Sequence, residues 1–231
     1  MKICGFQKMT TLDFPGKIAC TVFTGGCNFR CPFCHNATLV TDIDDNAVFS
    51  EEEILSYLYK RKGILDGVCI TGGEPLLQKD IAEFIEKVKE TGMLVKVDTN
   101  GSYPEKLKEL VQNGLVDYVA MDIKNSKEKY SLTVDIPDYD LSRVEESVDF
   151  LLSDAVDYEF RTTVVKEYHT ADDIADITKW IAGAKRYFLQ GFVDSGNLIG
   201  NNLSAVTPQA MVEFCARAQK TVPNTVLRGV K

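Results

Sequence analysis

Three cysteines lie close together in residues 27–34, with the spacing C-x3-C-x2-C. The chain has seven cysteines, and the other four are scattered along it singly. Thiolates at such short spacing are typical of a metal or redox centre rather than of a disulfide framework. The segment is therefore the first candidate for chemistry.

The cysteine segment could hold either of two kinds of metal centre. A structural zinc site has four ligands, and only His35 could complete the set at short spacing. His35 directly follows Cys34, which makes tetrahedral closure by both awkward. Three thiolates instead suit a [4Fe-4S] cluster whose fourth iron stays open for a substrate. The spacing favours such a cluster, held by Cys27, Cys31 and Cys34, with zinc as the alternative.

The elements that position this segment follow from the hydrophobic pattern. Short β-branched runs predict strands at residues 18–24, 67–71, 94–98, 118–122, 158–165 and 186–190. Amphipathic segments between them predict helices, whose starts are indicated by Ser50 with Glu53, Asp80 with Glu83, Pro104, Ser142 with Glu145, Thr170 and Thr207. The alternation predicts an α/β chain with a mostly parallel sheet.

Unusual polar groups stand where four of the predicted strands end. They are Cys27 after the first strand, Gly72, Gly73 and Glu74 after the second, Asp98 at the end of the third, and Asp122 with Lys124 at the fourth. A barrel brings the carboxyl ends of all its strands to one mouth, whereas an open sheet gathers ligands at one switch point. We therefore predict a partial (β/α)6 TIM-like barrel, forming a single domain over residues 1–231.

Two of these motifs resemble the radical S-adenosylmethionine superfamily. The cysteine triad with aromatic Phe33 before its last member is similar to the superfamily's signature, and Gly72-Gly73-Glu74-Pro75 is similar to its second motif. Residues 24–27, 34–36, 98–101 and 121–124 further resemble the activating enzymes of glycyl-radical enzymes. The resemblance is strongest to those that serve anaerobic ribonucleoside-triphosphate reductase, and it covers residues 1–165.

The resemblance implies roles for particular residues. Glycines 72 and 73, with Glu74, would contact the methionine amino group of S-adenosylmethionine. Asp98, Asp122 and Lys124 would bind the same amino-acid end, and Arg161 resembles a basic residue near the cofactor. An ammonium needs acceptors and a carboxylate needs a cation, which these side chains supply. Gln190, Asp194 and Asn197 stand where some relatives place a histidine.

The resemblance also implies a reaction and partners. The enzyme would cleave S-adenosylmethionine reductively at the cluster and abstract hydrogen from a glycine of a glycyl-radical enzyme, the anaerobic ribonucleotide reductase. A low-potential carrier such as flavodoxin or ferredoxin would supply the electron. Two alternatives stay open: a radical enzyme acting on a small molecule, such as 7-carboxy-7-deazaguanine synthase, and a non-enzymatic zinc-binding scaffold.

Composition excludes several other classes. The chain has 26 Lys and Arg against 34 Asp and Glu, a net charge of −8, so it is not a generic nucleic-acid binder. No apolar stretch is long enough for a membrane span, and the N-terminal segment becomes polar too early for a signal peptide. We therefore expect a cytoplasmic protein that binds neither nucleic acid nor membrane.

Overall fold

The structure is a computed structural model that describes residues 1–43 and 49–230. Its strands are β1 (Ile3–Thr10), β2 (Ala19–Thr24), β3 (Gly67–Gly72), β4 (Leu94–Thr99), β5 (Tyr118–Asp122), β6 (Asp157–Val164), β7 (Tyr187–Gly191) and β8 (Thr225–Arg228). Its α-helices are α1 (Thr38–Thr41), α2 (Glu51–Lys60), α3 (Ile81–Glu90), α4 (Pro104–Gln112), α5 (Tyr130–Val134), α6 (Ser142–Leu152), α7 (Ala171–Trp180) and α8 (Pro208–Ala218). A 3-10 turn, Pro75–Leu77, follows β3.

The strands form one eight-stranded sheet in the order β1 to β8. Strand β1 runs antiparallel to β2, and every later neighbour pair is parallel. A doubly wound sheet would reverse its strand order at a switch point, whereas a barrel keeps the order sequential. The predicted α/β barrel with a mostly parallel sheet is confirmed.

Contacts across the inner face indicate that the sheet curves. Arg161 of β6 contacts Asp98 of β4, and Arg228 of β8 contacts Glu159 of β6, so side chains two strands apart meet. Within the described residues the strand order has β1 and β8 as its two edges. The barrel is therefore partial, with an open seam between these strands.

The outer face of the sheet packs against the helices. Apolar residues of α3 recur at helical spacing and are fully buried against it: Ile81, Phe84, Ile85 and Val88. Burial of one such side chain contributes about 1.5–3 kcal/mol. At the amino ends of the parallel strands, Phe14 packs with Ala19, Tyr118 and Leu94. This cluster covers the amino ends of the strands, and polar side chains line the cavity at their carboxyl ends.

Several local predictions need correction. Strands β1 and β8 are missing from the predicted set, because edge strands have one neighbour and carry a weak apolar pattern. Ser142 does not cap α6, which it opens as the first helical residue; Asp140 accepts the Ser142 N–H instead. Asp80 precedes α3 without a capping hydrogen bond, since its carboxylate pairs with the Met1 ammonium. The caps at Ser50, Thr170 and Thr207 are confirmed.

The helices are short. Each helix in the described part of the chain falls short of the length and apolar character needed to cross a membrane.

Candidate active site

A cavity of about 260 Å³ opens at the carboxyl ends of the parallel strands. Every predicted site residue except Glu74 lines this cavity. The lining comprises Cys27, Phe29, Cys31, Phe33, Cys34, His35, Asn36, Val40, Thr71, Gly72, Gly73, Asp98, Thr99, Asn100, Asp122, Lys124, Arg161, Thr163 and Gln190. The barrel thus brings together residues from five of its strands, β3 to β7, and from the cysteine segment.

Close backbone contact joins the cysteine segment to the loop after β3. The Glu74 N–H donates to the Gly26 carbonyl over 2.8 Å. A Cβ on Gly73 would lie 2.0 Å from the Gly26 oxygen, so only glycine fits there. Asn36 also donates to the Gly72 carbonyl over 2.9 Å. These contacts explain why two glycine-rich motifs that are distant in sequence occur in one site.

The three thiols of the cysteine segment line the cavity together. Within the described chain, no three or more His, Cys, Asp or Glu side chains surround a point where a single ion could bind. A zinc ion needs its thiolates about 2.3 Å away. A [4Fe-4S] cluster instead takes its three thiolates on three different irons. Three thiols at one cavity are the donor set that such a cluster takes from a protein.

Burial opposes ionisation of two of the three thiols. Burial raises the pKa of Cys27 to about 11 and that of Cys31 to about 12. Coordination to iron would overcome this, because metal binding deprotonates a thiol. The Phe29 N–H lies 3.4 Å from the Cys27 sulfur and the Asn100 amide 3.8 Å from it. These donors suit a thiolate ligand, since hydrogen bonds to sulfur tune such clusters.

Asp98 and Asp122 are joined by Arg161 on the inner face. The Arg161 Nη1 donates to Asp98 Oδ2 over 3.0 Å, and its Nε donates to Asp122 Oδ1 over 2.8 Å. Lys124 donates to Asp122 Oδ2 over 3.0 Å, and Lys96 is paired with Asp98 Oδ1. The result is an alternating charge row of Lys96, Asp98, Arg161, Asp122 and Lys124.

The charge row keeps its members ionised. Burial alone would raise the pKa of Asp122, but Arg161 and Lys124 outweigh it and hold that pKa well below its usual range. Burial likewise opposes ionisation of Asp98, and Arg161 with Lys96 lowers its pKa. The pKa of Lys124 is raised, because Asp122 outweighs the burial that would lower it. Fixed charges of both signs therefore face the cavity.

Glu74 lies outside the cavity, with its side chain fully buried. Its carboxylate accepts hydrogen bonds from the Leu76 N–H over 3.0 Å, the Thr99 hydroxyl over 2.8 Å and the Asn100 N–H over 2.7 Å. Burial raises its pKa to about 7, against the effect of these donors. The carboxylate thus ties the loop after β3 to the end of β4, and only the neighbouring glycines face the cavity.

Sequence reasoning missed two polar residues of the site. Lys96 is buried in the barrel beside Asp98, and strand alternation could have found it, since residues i and i+2 share a face. Asn100 lies in the predicted motif 98–101 but was assigned no role; its side-chain amide donates to Asn28 over 3.0 Å and lies 3.8 Å from the Cys27 sulfur. No local pattern in the sequence indicates that Asn100 approaches Cys27.

Residues after β7 pack on the cysteine segment. The Gly200 N–H donates to the Pro32 carbonyl over 2.7 Å, and His35 stacks on Phe192 with ring centroids 5.6 Å apart. Gln190 is the residue of β7 that lines the cavity. His35 is therefore a neighbour of the thiols held by this packing, with its Nε2 2.8 Å from the Val193 carbonyl oxygen.

The pattern of the Radical SAM superfamily matches residues 21–181, which include the three thiols and the whole charge row. The chain belongs to this superfamily. It is thus an enzyme whose cofactors are a [4Fe-4S] cluster and S-adenosylmethionine, in agreement with the donor set of the cavity.

Two of the relatives within the superfamily are named as activating enzymes. The chain is 32% identical over 237 residues to a protein of Methanocaldococcus jannaschii provisionally named a glycyl-radical enzyme activating enzyme, covering 99% of this chain and 96% of that one. It is 33% identical over 135 residues to the pyruvate formate-lyase-activating enzyme of Listeria monocytogenes, covering 53% of each. The chain groups with this kind of radical enzyme.

A solved structure shows the same fold. SuiB of Streptococcus suis bound to S-adenosylmethionine matches with a TM-score of 0.70 at 14% identity, over 89% of this chain and 49% of that one. The chain thus spans about half the length of SuiB. At this identity the match concerns the fold alone.

Proposed function

We propose that the chain activates a glycyl-radical enzyme by removing a hydrogen atom from one glycine of that partner. The observation that carries the proposal is the cavity itself, which unites three thiols suited to a cluster with a charge row suited to an amino-acid zwitterion. The full-length identity to the Methanocaldococcus protein supports the same activity.

The chain's own residues would hold the cofactors as follows. Cys27, Cys31 and Cys34 would ligate the cluster, and Phe33 would line the cavity beside it. When bound, the cluster would supply the electron for reductive cleavage of S-adenosylmethionine.

The charge row would orient the amino-acid end of S-adenosylmethionine. Asp98 and Asp122 would accept hydrogen bonds from its ammonium, and Lys124 would donate to its carboxylate. Arg161 would keep both aspartates in place from β6. The backbone of Gly72 and Gly73, which faces the cavity, would approach the same end, since no Cβ intervenes.

The substrate we propose is a glycine in a flexible loop of anaerobic ribonucleoside-triphosphate reductase. A radical must be kept from water and stray hydrogen donors. The partial barrel ends in two edge strands, β1 and β8, within the described residues, so a docking protein would complete the enclosure. A glycine Cα radical is stabilised by its flanking amides and can be stored.

The same proposal includes the domain, the cellular compartment and the electron donor. Residues 1–231 would form a single radical S-adenosylmethionine domain in the cytoplasm. A flavodoxin or ferredoxin would deliver the low-potential electron. No second cysteine cluster follows the first in the sequence, so the proposal needs no further iron–sulfur centre.

The test is to mix the anaerobic holoenzyme with the reductase, S-adenosylmethionine and a strong reductant, and to record the electron paramagnetic resonance spectrum. A glycine-centred doublet should form on the reductase and vanish when its glycine is replaced by alanine. The Cys31→Ala enzyme, unable to hold the cluster, is the matched negative control. Formation of 5′-deoxyadenosine without a doublet on any glycyl-radical enzyme would instead indicate a small-molecule substrate.

A further inference from the structure

Lys96 is a buried lysine inside the barrel that the proposed cofactor contacts do not use. It is the third residue of β4, in register with Cys69 of β3 and Tyr118 of β5. Its side chain is 2% exposed. An ammonium buried this far is costly unless it is paired, so its partners indicate what it does.

The partners of Lys96 are Asp98 and Cys69. The ammonium pairs with Asp98 Oδ1 and lies 3.7 Å from the Cys69 sulfur. The thiol of Cys69 is itself 3.8 Å from the same Asp98 oxygen. The charge of Lys96 is therefore directed at one oxygen of one carboxylate.

The other oxygen of Asp98 has its own partners. Asp98 Oδ2 accepts from Arg161 over 3.0 Å and from the Thr71 hydroxyl over 3.3 Å. Without Lys96, Oδ1 would keep only the weak thiol donor, and the carboxylate could rotate about its last bond. Lys96 thus fixes one end of the carboxylate while Arg161 fixes the other.

We propose that Lys96 is a positioning residue that orients Asp98 toward the ammonium of S-adenosylmethionine. The inference rests on the proposed role of Asp98 in binding that ammonium. Lys96 acts through Asp98 and not on the ligand itself, because Asp98 lines the cavity and Lys96 does not. A purely space-filling residue at this place would need no charge, since an apolar side chain fills a barrel at lower desolvation cost.

The first experiment compares single variants by their equilibrium affinity for S-adenosylmethionine on the cluster-loaded protein. Lys96→Met keeps the aliphatic stem and removes the charge, so affinity should fall about tenfold. Lys96→Arg restores a cation and should recover part of the loss. The matched control is Lys89→Met, a paired lysine on α3 that binds Asp117 over 2.7 Å and does not contact the site. Lys89→Met should leave affinity unchanged.

The decisive experiment is a double-mutant cycle with Asp98→Asn. If Lys96 acts through Asp98, Lys96→Met should change affinity by less than about twofold in the Asp98→Asn background. The double variant also removes both buried charges, so it stays informative if Lys96→Met alone folds poorly. An equal loss in both backgrounds, or no loss in Lys96→Met, overturns the inference. Unchanged affinity in Asp98→Asn alone overturns the proposed site, which separates the two failures.

Discussion

Glu74 and Asp122 are carboxylates at the carboxyl ends of two parallel strands, but their surroundings differ. Glu74 is fully buried and accepts from three neutral donors. Asp122 lines the cavity and is paired with Arg161 and Lys124. Burial dominates the pKa of Glu74 and raises it to about 7, whereas the two cations hold the pKa of Asp122 below its usual range.

The difference separates residues that build the cavity from residues that face it. Glu74 joins the loop after β3 to Thr99 and Asn100, and so fixes the wall that Asn100 presents to Cys27. Asp122 has 31% of its side chain accessible and could meet a ligand directly. A motif residue at a strand end therefore has either a structural or a ligand-binding role, and its hydrogen-bond partners decide which.

The largest effect is expected for the thiols, where a residue of the cavity and a residue outside it can be compared in the same way. Cys31 lines the cavity, whereas Cys215 lies on α8 with its thiol toward the Thr225 carbonyl. Cys31→Ala should abolish the roughly four irons per chain of the reconstituted protein, and Cys215→Ala should keep them. Iron analysis and the visible spectrum under anaerobic conditions measure this. Full iron content in Cys31→Ala would contradict the ligand assignment.

A smaller effect, on stability, is expected when the Glu74 carboxylate that fixes this wall of the cavity is removed. Glu74→Ala leaves three buried donors without an acceptor, each worth about 1–3 kcal/mol, partly offset because a buried carboxyl is removed. The free energy of unfolding should fall by roughly 2–4 kcal/mol. Denaturant titration of the anaerobic protein measures this. An unchanged midpoint would mean that Glu74 does not hold the two loops together.

On the cavity side, Lys124→Ala should weaken binding of S-adenosylmethionine. Loss of one charge-assisted hydrogen bond costs about 1.5–3 kcal/mol, or roughly ten- to a hundredfold in affinity. Iron content should stay at the wild-type level, since Lys124 is not a ligand. Lys179→Ala, on an exposed lysine of α7, is the control expected to bind normally. Equal affinity in the two variants would argue against this placement of the cofactor.

The smallest effect concerns pH. The pKa of Glu74 in the folded chain is about 7, above its ordinary value of 4.5. Between these two pH values the folded chain therefore holds a proton that the unfolded chain has released. Its stabilising contribution is therefore full below pH 4.5 and is lost as the pH rises through about 7. Asp122 has a lowered pKa, so its contribution is present at all pH values above its ordinary 3.8 and is lost only in acid.

Thermal unfolding from about pH 5.5 to about pH 8 should reveal this contrast. The stability that Glu74→Ala removes should be larger at the acid end by about 1–2 kcal/mol. The stability that Asp122→Ala removes should be constant across the window. A cost of Glu74→Ala that rises with pH would show that its hydrogen bonds, rather than burial, control its ionisation.

The sequence predicts the residues that line the cavity better than the buried residues that hold the lining in place. Strand-end placement was enough to bring the thiols, Asp98 and Asp122 to one mouth, because parallel strands end together. It was not enough to orient Glu74, since a carboxylate after a glycine pair can turn to the solvent, to a ligand or to the neighbouring loop.

The same limit applies to Lys96, Ser142 and the edge strands. Strand alternation places Lys96 on the same face as Asp98, but its burial follows only from the closure of the barrel. Ser142 with Glu145 has the capping spacing, but Asp140 two residues earlier is the competing acceptor. The weak patterns of β1 and β8 follow from their having one neighbour each.

The most direct test of the central claim removes one charge from each carboxylate with little change of shape. Asp122→Asn and Glu74→Gln are loaded with cluster, and their affinity for S-adenosylmethionine is measured by equilibrium dialysis. The account predicts about tenfold or greater weakening in Asp122→Asn and near wild-type affinity in Glu74→Gln. Normal binding in Asp122→Asn together with lost binding in Glu74→Gln would contradict it.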